Sequence, residues 1–315
     1  MHVYRWDLDR TYLATEISSV RGLVRAALET ADQKRNIPGA PALLRGLIEH
    51  DPSCRVAILS GSPPQMRQVL EEKLALDGVR FDQLVLKDSL SSLRRGRVRA
   101  VTGQMGYKLP KLLQMRVGLG HVVRETLFGD DSEVDALVYA VYAEAIAGRL
   151  PENELARIME AAGAYPESVD EACRALRQVG RADAVEDAFI LLERGNRALA
   201  RFHLLGPHVV PVYSWFQAAV MLWRRGRLTI GGVEDVARAV FDEGTSEHGL
   251  AGLVQDLVRR GLVATADVER LLVEAPRLAP IVAPVQRALA RMGPPPEAPQ
   301  RITRPEYVAF LRASN

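Results

Sequence analysis

Short apolar runs alternate with longer stretches of helical spacing through the first 150 residues of the chain. Residues 3–6, 55–59, 83–86 and 125–128 read as strands. Residues 17–30, 41–50, 64–77, 109–119 and 136–147 read as helices. Such alternation predicts an α/β domain with a largely parallel sheet and helices on its faces. Polar segments rich in Asp, Ser and Gly fall just past the predicted strand ends. In an open α/β sheet that is where ligands bind, so residues far apart in sequence are expected to converge there.

Past Gly148 the strand signal fades. Helices are expected from Pro151 toward Ala162 and over 166–179, 183–202, 211–225, 232–241, 250–260 and 266–274. Gly226, Gly244 and Gly261 stand where helices should stop. Gly226-Arg227 and Gly261-Leu262 hint at a loose repeat, but the spacing is too irregular for a solenoid. Pro294, Pro295, Pro296 and Pro299 mark an extended tail, from which 307–311 could dock back. The expected organisation is an α/β domain over 1–150, a mainly helical domain over 151–292 and a proline-rich tail over 293–315.

The 315 residues leave room for two domains. With 48% hydrophobic residues the chain can build real cores. Its formal charge of +2 gives no strong nucleic-acid signal. Two cysteines, Cys54 and Cys173, make neither a disulfide framework nor a zinc cluster. The most apolar stretch, 209–223, contains Pro211 and Gln217 and is short of the roughly 20 residues a membrane span needs. The start of the chain carries charge too early for a secretory leader. These features predict a cytoplasmic protein without a transmembrane segment, with peripheral attachment to a membrane as the alternative.

The first predicted strand leads into Asp7-Leu8-Asp9-Arg10-Thr11. On an extended strand Asp7 and Asp9 share one parity, so both could face one site; two acidic residues at a strand end are the plainer alternative. Three further segments add chemistry. Leu59-Ser60-Gly61-Ser62-Pro63 offers hydroxyls, Gly106-Tyr107-Lys108 an ammonium, and Gly129-Asp130-Asp131-Ser132-Glu133-Val134-Asp135 more carboxylates. Together they supply a nucleophile, an acid/base and metal-binding oxygens, an inventory suited to phosphoryl transfer onto an aspartate. Ser60 could instead cap the following helix, and Lys111, one turn past Lys108, is the rival ammonium.

In order and strand context these four segments resemble the haloacid-dehalogenase superfamily of phosphohydrolases, and within it the catalytic domain of App1-type phosphatidate phosphatases, over roughly residues 1–150. Tyr139 follows at the interval that family shows; Arg10 departs from the small or acidic residue more usual there. The resemblance implies a Rossmann-like core. It implies Asp7 as nucleophile and Asp9 as the acid/base that protonates the leaving oxygen and then activates water. Ser60 and Gly61, with Lys108, would bind the phosphoryl group; Ser62 is a weaker candidate. Mg2+ would be held by Asp7, the main-chain carbonyl of Asp9 and Asp130, with Asp135 acting through a water or orienting Lys108. Asp131 and Glu133 read equally as surface residues.

The function expected is Mg2+-dependent hydrolysis of a phosphomonoester through an aspartyl-phosphate. The substrate would be a phosphorylated small molecule or a lipid; phosphatidate hydrolysis is supported by the resemblance and by Trp215, Phe216, Trp223, Arg224 and Arg225, which could lie at a membrane surface or, the reading preferred, bury a helix and expose its basic end. A noncatalytic scaffold that binds a protein partner through the helical half is the other alternative. The arginines at 94, 95, 97 and 99 could form a basic flap over the site or a solvated hairpin.

Overall fold

Strand β1 (His2–Asp7) lies inside a six-stranded, all-parallel sheet in the computed structural model, which describes residues 1–15, 29–87, 102–131, 134–192, 199–292 and 306–313. On one side stand β2 (Arg55–Ser60) and β3 (Gln83–Leu86). On the other stand β4 (Arg124–Asp130), β5 (Val185–Leu191) and β6 (Val209–Val212), giving the order β3-β2-β1-β4-β5-β6. The four strands expected from the sequence are all present. Strand order reverses between β1 and β4, and open α/β sheets bind ligands in the crevice at such a reversal.

Alternating side chains feed two cores, one on each face of the sheet. Tyr4, Trp6, Ile58, Phe128 and Phe189 enter the first. It is covered by α1 (Ala40–His50), α2 (Arg67–Leu76), α7 (Trp215–Arg224), α8 (Ile230–Asp242), α9 (Glu247–Arg259), α10 (Thr265–Glu274) and α11 (Ala279–Ala290). Leu59, Leu127, Ala188 and Ile190 enter the second. Over it lie α3 (Thr102–Arg116), α4 (Asp135–Ile146), α5 (Glu152–Ala161), α6 (Pro166–Gln178) and α12 (Tyr307–Ala313). Gly226, Gly244 and Gly261 take positive φ (68°, 100° and 67°) and stop α7, α8 and α9 as expected. The chain end docks back through Tyr307 and Phe310, both buried in the second core.

Several expectations need correction. Residues 183–202 do not form a helix: 185–191 are β5, and a 3-10 turn follows at Leu199–Leu205. Glu186 and Asp187 interrupt this segment, and the short apolar run that remains cannot be told from a buried helix by periodicity. The helix expected at 211–225 begins at Trp215, and Pro211 lies in β6, an edge strand that tolerates a missing N–H. β5 and β6, both past residue 150, belong to the same sheet as β1 to β4. Of the two readings of the aromatics at 215, 216 and 223, burial is the one seen: Trp215 and Phe216 are fully buried, and the Arg270 guanidinium covers the Trp223 ring at 4.5 Å. Most of the expected helix at 17–30, the arginines at 94–99 and the tail at 293–305 lie outside the described residues.

The turn after β1 is tied to both neighbours. Trp215 Nε1 donates to the Thr11 carbonyl at 3.0 Å. Tyr12 OH donates to Asp77 Oδ2 at 2.8 Å; Asn36 Nδ2 and Lys73 Nζ reach Asp77 Oδ1 at 3.1 and 2.7 Å. Asp77, just past α2, is thus a fixed post against which the turn leans.

Candidate active site

Asp7 is the last residue of β1 and sits beside Leu59 in the register with β2, so Ser60, the last residue of β2, lies one step further out. Asp130 ends β4 and Asp135 opens α4. Lys108 projects from α3, whose helix starts at Thr102. The lysine is therefore inside a helix, not just ahead of one as the helix expected over 109–119 implied.

Lys108 Nζ donates to Asp7 Oδ1 at 2.7 Å and to Asp135 Oδ1 at 2.5 Å, and the three side chains are at most 2% exposed. Carboxylate oxygens of Asp7, Asp130 and Asp135 lie within 4.8 Å of one another. Charges this deep are costly unless paired. Three carboxylates gathered around one ammonium make an acidic set of the kind that suits a divalent cation. The donor set is all oxygen, hard and compact, and fits magnesium or a similar cation better than a soft metal.

Gly129 keeps this cluster together. A Cβ at that position would meet Asp135 Oδ2 at 2.6 Å and Tyr139 Cε2 at 2.8 Å. Tyr139 OH donates to the Phe128 carbonyl at 3.0 Å. Burial, and then the nearby Asp135 charge, hold its phenol well above the usual range, so it stays a neutral donor.

Asp9 reaches the site differently from the strand-parity expectation. The strand ends at Asp7, and residues 8–13 form a turn closed by Tyr12 N and Leu13 N on the Leu8 carbonyl at 2.9 and 2.8 Å. Arg10 sits in the left-handed region at φ +59°, a conformation that costs a non-glycine residue about 1–2 kcal/mol. The turn aims Asp9 at the end of β2. Its Oδ2 accepts from Ser60 Oγ at 3.0 Å and Ser62 Oγ at 3.1 Å, and its Oδ1 accepts from Thr15 Oγ1 at 3.0 Å. Ser62 N in turn donates to Ser60 Oγ at 3.0 Å. The Ser60 proton is thus committed to Asp9 here. The capping alternative for Ser60 is not seen, since neither the 3-10 turn Pro64–Met66 nor α2 has a side-chain cap.

Other expected residues divide clearly. Lys111 turns to Glu171 Oε1 at 3.1 Å, on a partly exposed flank. Asp131 extends the sheet through its N–H to the Leu191 carbonyl at 3.0 Å and is not in the carboxylate cluster. Glu133 lies outside the described residues. At Gly61 a Cβ would come within 3.0 Å of Gln104 Nε2, which places the α3 amide against the turn after β2. Gln104, Thr15 and Lys34 were not singled out from the sequence. Lys34 is buried 3.9 Å from Glu29 Oε2; burial pushes its ammonium pKa down while Glu29 and Asp9 pull it back up. No short motif marks any of the three.

A parallel α/β sheet with buried carboxylates and a lysine gathered at its switch point is the framework of a phosphoryl-transfer enzyme, and the chain is a phosphatase, a phosphoric monoester hydrolase. Residues 6–152, just under half of the chain, match the family described as "Phosphatidate phosphatase APP1, catalytic domain". No curated protein and no solved structure gives a match. Among the described residues no helix is long and apolar enough to cross a membrane.

Proposed function

We propose that the protein is a magnesium-dependent phosphomonoester hydrolase that works through an aspartyl-phosphate on Asp7, with the chemistry of the haloacid-dehalogenase superfamily. One observation carries this reading: Lys108 bridges Asp7 and Asp135 at hydrogen-bond distance beside Asp130, all buried at the strand-order reversal. Asp7, Asp130 and the Asp9 carbonyl would hold the cation, with Asp135 next to them and fixing Lys108. When bound, magnesium supplies the charge neutralisation that lets a carboxylate approach a phosphate dianion.

The Asp7 carboxylate attacks phosphorus in line with the leaving oxygen. As the phosphorus–oxygen bond to the leaving group breaks, Asp9 gives that oxygen its proton. Asp9 then takes a proton from water, and the resulting nucleophile cleaves the acyl phosphate, returning Asp7 and releasing inorganic phosphate. Lys108 offsets charge on the phosphoryl group throughout. The backbone around Gly61 gives that group room, and Ser60 donates to one of its oxygens by leaving Asp9.

Phosphatidate or a related phospholipid is the substrate favoured by the family match over 6–152. A lipid substrate requires access to a bilayer surface, so peripheral attachment belongs to this reading. The test is a panel of aryl, sugar, nucleotide and lipid phosphates with magnesium, wild type against Asp7→Asn. Phosphate release that Asp7→Asn abolishes is expected. No release across the panel by folded, metal-loaded protein refutes the reading; release from soluble esters but not from phosphatidate in vesicles refutes the lipid assignment alone.

A further inference from the structure

The hydroxyls around Asp9 are more than the reaction requires. Asp9 is 6% exposed and accepts three hydroxyl hydrogen bonds, one from Thr15 and two from Ser60 and Ser62 at the end of β2. Only Ser60 has a task at the phosphoryl group. When it turns to the substrate, one of the three bonds on Asp9 is lost. Thr15 and Ser62 then remain, one on each carboxylate oxygen.

We propose that Thr15 and Ser62 are positioning residues that hold the Asp9 side chain in one rotamer while Ser60 moves between Asp9 and the phosphoryl group. The inference rests on the acid/base role proposed for Asp9. The arrangement gives two-point support. Thr15 Oγ1 on Oδ1 and Ser62 Oγ on Oδ2 fix the plane of the carboxylate, because bonds to both oxygens oppose rotation about the Cβ–Cγ bond. Ser62 is itself set by its N–H to Ser60 Oγ, so the two serines stay in register. A proton shuttle works only within hydrogen-bond reach of the leaving oxygen. A carboxylate attached by a mobile side chain to an irregular turn needs such support more than one on a strand does.

Thr15→Val keeps the shape and removes one hydroxyl; Ser62→Ala removes the other; Thr15→Ser restores a hydroxyl. Each is assayed as kcat/KM on an alkyl phosphate, whose departure needs an acid, and on p-nitrophenyl phosphate, whose departure does not. Loss of a hydrogen bond to a charged group predicts a fall of roughly 10- to 100-fold on the alkyl ester, with only a few-fold fall on the aryl ester. Thr15→Ser should recover most of the loss. Equal falls on both esters, or no fall on either, overturn the proposal. Circular dichroism and melting identify a variant that fails to fold, and Ser62, which is not buried, then carries the test. If the wild type releases phosphate from neither ester, the proposed function is what fails. A crystal structure of Thr15→Val/Ser62→Ala then decides the positioning role. Asp9 turned aside within an unchanged 8–13 turn supports it, and Asp9 unmoved overturns it.

Discussion

Trp215 ties the region after residue 150 to the turn that carries Asp9, and replacing it tests whether that connection matters. The side chain is fully buried, with its ring 5.5 Å from Trp6 and 5.7 Å from Phe128, and its Nε1 donates to the Thr11 carbonyl at 3.0 Å. Trp215→Ala removes a large buried aromatic, which costs about 3–5 kcal/mol. Trp215→Phe keeps most of the apolar area but leaves the Thr11 carbonyl without that donor, a cost of about 1–3 kcal/mol. Thr11 lies two residues from Asp9 in the 8–13 turn, so Trp215→Phe should also lower kcat at temperatures where the variant is fully folded. Urea unfolding followed by far-ultraviolet circular dichroism, paired with phosphate release well below the melting temperature, separates the two effects. Trp215→Ala within about 1 kcal/mol of wild type would refute the packing argument. A fully active but less stable Trp215→Phe would refute the link from the C-terminal helices to the catalytic turn.

Gly129→Ala should abolish turnover and magnesium-induced stabilisation, because its methyl group would stand 2.6 Å from Asp135 Oδ2; retained activity in a rate assay would contradict the geometry. Magnesium should raise the melting temperature of the wild type and chelation should lower it, with about 2.7 kcal/mol gained at a hundredfold excess over Kd; Asp130→Asn should lose that response in a thermal-shift titration. Asp187→Asn should stabilise the fold at pH 7 by up to about 3 kcal/mol. Burial raises the Asp187 carboxyl from 3.8 to about 6 despite Arg225 at 2.7 Å, so the folded state binds the extra proton and stability falls as pH rises between those values. His2 acts in the opposite sense. Burial lowers it from 6.5 to about 4, so its contribution grows with pH over that window. Denaturant midpoints of Asp187→Asn should therefore climb from pH 4 to 6.5; a flat or falling curve would contradict these assignments.

What the sequence made legible follows from how each feature is encoded. Strands β1 to β4 are short apolar runs bounded by turn residues, and they were found where expected. β5 was missed because Glu186 and Asp187 break the apolar pattern of Val185–Leu191, and pairing with β4 and β6 makes it a strand. β6 was hidden by Pro211, which reads as a helix start but is tolerated at a sheet edge. The start of α3 was misplaced for the same reason: Pro110 looks like a first-turn proline and lies within the helix instead.

The candidate site shows a sharper division. Asp7, Lys108, Asp130 and Asp135 were visible because each stands in a short motif, and β1, β4, α3 and α4 carry them to one point. Asp9 also stands in a short motif, but strand geometry is not what brings it to the site. Strand parity does not extend past Asp7, and a turn with Arg10 in a left-handed conformation points Asp9 toward β2. Its neighbours follow from that turn. Thr15 belongs to no motif, and only the folded chain shows that it shares a carboxylate with Ser60 and Ser62. Asp7, Lys108, Asp130 and Asp135 are thus held by regular elements, while Asp9, to which the proposed mechanism gives the proton, stands on a turn and is held by hydroxyls. Metal ligands gain from rigid placement, whereas a proton shuttle serves two partners in succession, first the leaving oxygen and then water. Hydroxyl hydrogen bonds to both oxygens can keep its plane fixed through both steps, since a carboxylate oxygen can accept from a hydroxyl and still exchange a proton with a second partner.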